Sequence, residues 1–269
     1  SATVREVEEE LGITVFMRNN RGITVTAEGE EFLGYAKQVV EQYHLLENRY
    51  LNVESKKKFS VSMQHYSFAV KAFVQLAKEV GMDEYEFAVH ETKTKEVIDN
   101  VKNLKSEIGV LYLSDFNEKV LRKLFKECDI EFKELFTCNT YVYLWKKHPL
   151  AGQKEITLDD LQEYPCLTFE QGVNNSFYYA EEMMSTYEYK RVIKADDRAT
   201  MLNLMVGLNG FTLCSGIISE DLNGDDYAAI PLKESEKMHI GYIKHKGTKL
   251  SKLGEIYIDA LKNYENKVL

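Results

Sequence analysis

Val4, Val7 and Leu11 recur at helical spacing, and Arg5, Glu6, Glu9 and Glu10 fill the polar positions between them. The pattern predicts a helix that stops at Gly12, since glycine adopts the left-handed conformation of a C-terminal cap most easily. β-prone runs at 13–16 and 23–26 flank Asn19, Asn20, Arg21 and Gly22, which suit a hairpin tip. Thr26 is placed to cap a second helix, with Glu28, Glu30 and Glu31 near its positive end. That helix is expected from 27 to about 52, without proline. Within it Phe32, Ala36, Val39, Tyr43, Leu46 and Tyr50 alternate spacings of four and three, the seam by which two helices pack side by side. Residues 54–58 break the period with a lysine run and read as a solvated hinge.

From 59 onward short strands alternate with helices. Strands are predicted at 59–63, 87–89, 108–113, 132–145, 166–169, 191–194, 211–214, 228–232 and 239–244. Helices are predicted at 68–80, 94–104, 117–128, 156–161, 177–187, 200–208 and 252–264. The run 108–113 is apolar at nearly every position, as expected of a strand covered on both faces. This order implies α/β architecture with a parallel or mixed sheet wrapped by helices, in two halves that read as lobes around a cleft.

Composition narrows the class. The 269 residues are enough for two units with real cores, and 44% hydrophobic with 29% charged residues describes a soluble globular chain. No apolar run approaches the roughly 20 residues of a membrane helix, and no signal peptide is visible, so a cytoplasmic protein is expected. A net charge of −9 argues against a protein that coats nucleic acid along its whole surface, but it permits a local basic patch. Cys128, Cys138, Cys166 and Cys214 are scattered, without CxxC or histidine partners at metal spacing, and read as buried thiols.

Helix, basic hairpin, helix is the layout of a winged helix-turn-helix, in which Arg18 and Arg21 on the wing would touch phosphate or the minor groove. The wording of the stretch closely resembles the DNA-binding end of LysR-type transcriptional regulators. There the recognition helix runs into (I/V)R-x-(L/V)-E-x-E-L-G, then L/V-F-x-R, a basic wing and T-x-x-G. Val4-Arg5, Val7-Glu8, Glu10-Leu11-Gly12, Val15-Phe16, Arg18, Arg21-Gly22, Val25-Thr26 and Gly29 stand in that register. The segments Lys146 to Ala151, Leu158 with Leu161 and Pro165, and Leu208 to Ser215 match the family more loosely. The family has two further helices before this point, so the chain is expected to be a fragment that opens inside the recognition helix and binds operator DNA poorly by itself.

The resemblance implies a partial winged helix-turn-helix over 1–26, a dimerising linker helix over 27–53, a hinge over 54–58 and an effector domain over 59–269. That domain would be periplasmic-binding-protein-like, with lobe I at about 59–139 and 240–269 and lobe II at about 140–239. It also implies promoter DNA as partner through Ser1, Thr3, Arg5, Arg18, Asn20 and Arg21. A homodimer through the six seam residues, assembling further into a homotetramer, and a small-molecule effector complete the expected partners.

In open α/β sheets ligands settle beyond the carboxyl ends of strands, beside helix N-termini that favour anions. Those junctions give Gln64, His65, Tyr66 and Ser67, then Thr92 and Thr94, then Ser114, and from the second half Thr168, Glu170, Gln171 and Ser215. Ser67, Thr92 and Thr94 could instead only cap their helices. In the resembling family the first two junctions line the effector cleft. Gln64-His65-Tyr66 and the segment 195–200 resemble Gram-positive members that govern methionine and cysteine uptake, which implies a small anionic or amino-acid-like effector. No G-x-S-x-G, Walker A or HExxH is present, so neither an enzyme nor a resident cofactor or metal is expected. The acidic loop 221–226 has misplaced glycine and Leu232 where a calcium loop needs glutamate. A transporter's solute-binding protein, with the same two lobes but without the wing and seam helix, is the alternative.

Overall fold

The computed structural model describes residues 2–19, 22–50, 56–81, 84–174, 176–218 and 220–265. The chain divides after residue 56 into two units, taken separately here. The first holds α1 (Ala2–Leu11), β1 (Phe16–Asn19), β2 (Gly22–Val25) and α2 (Ala27–Tyr50). β1 and β2 pair antiparallel, with Asn19 opposite Gly22. The first strand thus begins at Phe16, later than the predicted 13–16, because residues 13–15 are used to tie α1 to the hairpin. The Glu8 carboxylate accepts the N–H groups of Val15 and Phe16 at 2.7 and 3.0 Å. Gly12 closes α1 at φ +66°. Thr26 caps α2 by accepting the Gly29 N–H at 2.9 Å, and its own N–H donates to the Val15 carbonyl at 3.0 Å. Gly29 is needed there because a Cβ would lie 2.2 Å from that carbonyl oxygen.

The second unit begins with β3 (Lys57–Met63), so Lys57 and Lys58 belong to a strand and not to a hinge. There follow α3 (Ser67–Val80), β4 (Tyr85–Glu91), α4 (Thr94–Lys102), β5 (Ile108–Leu113), α5 (Glu118–Glu127) and β6 (Ile130–Cys138). Next come β7 (Tyr141–Trp145), α6 (Leu158–Leu161), β8 (Cys166–Phe169), β9 (Val192–Ala195), α7 (Arg198–Leu208) and β10 (Thr212–Cys214). The unit closes with α8 (Glu220–Asn223), β11 (Tyr227–Pro231), β12 (Met238–His245) and α9 (Lys252–Lys262).

One sheet has the order β4-β3-β5-β12-β6, with β3 parallel to both β4 and β5 and β12 antiparallel to β5 and β6. All six residues of β5 are buried, which explains its unbroken apolar run. The second sheet combines β10-β7-β11 with the parallel pair β8-β9, joined by a bridge between Cys166 and Phe211. Apolar side chains pack on both faces of each sheet: α3 and α9 cover one face of the first, and α4 and α5 the other.

The chain crosses between the lobes twice, at 139–140 and 232–237. This is why the strand predicted over 132–145 is two strands in two sheets. Thr140 joins the crossings: its N–H donates to Ser235 Oγ at 2.7 Å, its hydroxyl to the Glu236 carbonyl at 2.8 Å, and its carbonyl accepts the Leu232 N–H at 3.2 Å. The helix predicted at 177–187 does not form. A single 3-10 turn, Phe177–Tyr179, is followed by turns, and Met184 takes φ +55°. Met183 is buried in the core of the first lobe, while Tyr187 and Tyr189 pack on the second, a division no single helix face could achieve.

The first unit yields a direct test. Gly29→Ala should cost about 1–3 kcal/mol through overpacking against the Val15 carbonyl. Glu8→Ala should cost about 1.5–3 kcal/mol by leaving two N–H groups without a charged acceptor. Both are read as lost amide-exchange protection in residues 2–50, with the second unit unchanged.

Candidate functional site

β3 ends at Met63, and the next four residues turn the chain into α3. The Gln64 N–H donates to the Val110 carbonyl at 3.1 Å, continuing the sheet for one residue. The first turn of α3 has no side-chain cap, since Tyr66 stands at the N-cap and makes no such bond. The positive end of a 14-residue helix therefore faces whatever lies before it without a side-chain cap. A cavity of about 90 Å³ lies there, between this junction, the segment 181–182, α7 and β10. Phe68, Phe169, Met201, Met205, Ile217 and Met238 supply its apolar wall. His65, Ser67, Tyr143, Glu181, Glu182, Arg198, Thr212 and Ser215 supply polar groups. The Thr212 hydroxyl is buried with no hydrogen-bond partner.

Of the effector residues expected from sequence, His65, Tyr66, Ser67 and Ser215 line this cavity. Ser67 comes from one lobe and Ser215 from the other. Gln64, Thr94 and Gln171 do not line it; they zip the lobes together beside it. Gln64 Nε2 donates to Thr94 Oγ1 at 2.5 Å, the Thr94 N–H donates to Gln171 Oε1 at 3.1 Å, and the Thr94 hydroxyl donates to the Tyr179 carbonyl at 2.8 Å. The other four stand outside the lining. Thr92 donates to Glu96, Ser114 is tied by its N–H to Asn117 Oδ1 at 2.8 Å, Thr168 lies in β8 and Glu170 is exposed. The expected anion pocket at the start of α4 is thus filled by a glutamine of the chain itself.

The segment 171–182 also delivers two glutamates that sequence reading missed. Glu181 Oε2 accepts the His65 N–H at 2.9 Å and lies 2.8 Å from His65 Nδ1. Its other oxygen accepts from Gln171 Nε2 at 2.9 Å. The His65 ring stacks on Phe169 with centroids 3.7 Å apart, and both partners of the His65–Glu181 pair are almost fully buried. Glu182 accepts the Phe169 N–H at 2.8 Å. Burial, then the adjacent Glu181, push its carboxyl up to about 8 against the opposing pull of backbone N–H groups. Two further ion pairs join the lobes, Arg198 with Glu91 and Lys93 with Asp196 at 3.4 Å. The sequence signal for the acids was an adjacent Glu pair before Met183 and Met184 in a run rich in tyrosine.

In the first unit Thr3 and Arg5 are exposed on α1, while Ser1, Asn20, Arg21 and the side chain of Arg18 lie outside the described residues. Along α2, Val39, Tyr43 and Leu46 are 69%, 57% and 57% exposed, Phe32 and Ala36 are half-buried, and the side chain of Tyr50 is outside the description. No helix among the described residues is long and apolar enough to cross a membrane.

The raised carboxyl of Glu182 sets a pH dependence. The unfolded chain releases this proton near the ordinary 4.5 and the folded chain only near 8. Stability linked to Glu182 is therefore full below the lower value and declines as pH rises toward the upper, at ~1.4 kcal/mol per pH unit for one proton. Denaturant unfolding across this window should show the decline, and Glu182→Gln should flatten it.

Residues 82–265 match the model of the LysR substrate binding domain. The chain is 29% identical over 182 residues to the transcriptional dual regulator GltC of Bacillus subtilis, covering 64% of this chain and 55% of that protein. It is 25% identical to the HTH-type transcriptional regulator CysL of the same organism, across 100% of this chain and 89% of that one. The alignment to GltC thus spans about half that regulator's length. A full-length OxyR variant from Pseudomonas aeruginosa shares the fold at a TM-score of 0.70 and 16% identity, over 97% of this chain and 84% of that one. These relatives are regulators, and the solute-binding alternative finds no support among them. Two lobes around a cleft, preceded by helix, hairpin and long helix, are here joined to a family match across most of the chain: it belongs to the LysR-type transcriptional regulators.

Proposed function

We propose that the protein binds promoter DNA as a homodimer that assembles into a homotetramer. A small anionic or amino-acid-like metabolite in the cleft changes the spacing of its DNA-binding heads. The observation that carries this is the cavity at the uncapped start of α3, where Ser67 of one lobe and Ser215 of the other meet. An effector carboxylate there would gain helix-end N–H groups and hydroxyls from both lobes, and so would bind one lobe arrangement better than another. The methionine wall of Met201, Met205 and Met238 supports a link to sulfur amino-acid metabolism, since thioethers pack adaptably against apolar and sulfur-bearing groups.

Residues 1–26 belong to a DNA-reading head, and Thr3 and Arg5 with the wing arginines Arg18 and Arg21 are its DNA contacts. Helix α2 (Ala27–Tyr50) is the pairing helix, and the effector domain follows from 59. The exposed stripe of Val39, Tyr43 and Leu46 supports this, because an apolar helix face left in water is costly until a partner covers it. A cytoplasmic location fits a promoter-binding role.

Two measurements follow. A thermal-shift screen of amino acids and sulfur metabolites should give stabilising hits, and Ser67→Ala or Ser215→Ala should weaken them by about tenfold, ~1.4 kcal/mol for a lost hydrogen bond. Undiminished shifts in both variants would place the effector elsewhere. Light scattering should show a dimer or larger, and Tyr43→Arg with Leu46→Glu should dissociate it; a wild-type monomer would remove the pairing role of α2.

A further inference from the structure

Nothing in an effector carboxylate at Ser67 accounts for the buried acid in the same wall. Glu182 is 5% exposed and lines the cavity, and its Oε1 accepts the Phe169 N–H at 2.8 Å. Burial and the neighbouring Glu181 carboxyl hold it in its neutral form, against backbone N–H groups that favour the charged one. Two basic side chains of the cavity wall have other carboxylate partners. His65 is held by Glu181 at 2.8 Å, and Arg198 is paired with Glu91. Among the described residues no ion pair is made by this carboxyl, and a buried acid beside a second carboxyl in a cavity wall is a costly arrangement for a protein to keep. It becomes favourable when the cavity's occupant brings the missing positive charge.

We propose that Glu182 is the receptor for a protonated amine, so that the effector is a zwitterionic α-amino acid and not a plain carboxylate. This rests on the cleft being the effector site, as proposed above. The carboxylate would take Ser67 and the first turn of α3, the ammonium would take Glu182, and an apolar side chain would face Met201 and Met205. The step balances as a proton exchange: the neutral Glu182 carboxyl gives its proton to solvent and becomes the carboxylate that pairs with the ligand ammonium.

The groups facing this cluster are Glu181 on the same segment, His65 from the β3–α3 junction, Arg198 of α7, Tyr66, Tyr112 of β5, Cys166 of β8 and Tyr189. Burial pushes all three tyrosines and the thiol upward, so they remain neutral through the range where Glu182 titrates. The assignment is made by substitution and not by pH alone.

The test is calorimetric titration of the full chain with the proteinogenic L-amino acids, each beside its des-amino acid, in two buffers of different ionisation enthalpy. At least one amino acid should bind about tenfold or more tightly than its des-amino partner. That binding should release close to one proton at about pH 7, a release that vanishes near pH 9 where Glu182 is already ionised. Glu182→Gln should bring amino acid and des-amino acid to equal affinity and abolish the release. Wild-type proton release stands as evidence by itself should the variant not fold. Des-amino acids that bind as tightly as amino acids, or an amine preference that survives Glu182→Gln, overturn the assignment. If those des-amino acids lose affinity in Ser67→Ala, the cleft reading stands and only Glu182 is misassigned. If neither class binds, or binding ignores Ser67→Ala, both readings fall.

Discussion

A carboxylate removed from water needs a cation, a proton or a set of N–H donors, and the junction between the lobes is organised by two consecutive carboxyls under that constraint. Glu181 meets it with the backbone and ring of His65 and the amide of Gln171. Glu182 has the Phe169 N–H and holds its proton upward to about 8. The two cannot both ionise cheaply so close together. Both point inward from a stretch, 177–187, that is not a helix. After the 3-10 turn at Phe177–Tyr179 the chain runs as turns that lay Met183 on one lobe and Tyr187 on the other.

The same segment explains why several expected ligand contacts are already satisfied. Thr94 offers an N–H at the start of α4, where an anion would sit, and the Gln171 carbonyl occupies it. His65 offers a backbone N–H at the start of the α3 junction, and the Glu181 carboxylate occupies that. The protein's own oxygen atoms thus hold the lobes together next to a cavity that stays open at Ser67 and Ser215. A ligand in this cavity would act on lobes already joined by the 171–182 segment and the crossings at Thr140. Any response would therefore come from its differential affinity for lobe arrangements.

The opening unit follows a different logic, because its fixed-offset residues are local. Glu8 holds the turn after α1, Thr26 caps α2, and Gly29 lets the Val15 carbonyl approach the helix. Each letter of the T-x-x-G spacing thus has a geometric reason. These contacts span few residues, so a pattern along the chain could report them.

The sequence by itself determined the alternation of elements, the buried strand β5, the caps at Gly12 and Thr26, the narrow apolar stripe of α2 and the family. Periodicity and capping are properties of neighbours three and four residues apart, and they survive any tertiary arrangement. It also pointed to His65, Tyr66, Ser67 and Ser215, which line the cavity, since strand-to-helix junctions follow from the order of elements. Only the tertiary structure decided that residues 132–145 divide between two sheets, that 177–187 is not a helix, and that Gln64, Thr94 and Gln171 face one another instead of a cavity. Those outcomes depend on which surface a side chain meets across the lobes. Glu181 meets His65 from 116 positions away, a separation over which no local pattern carries information.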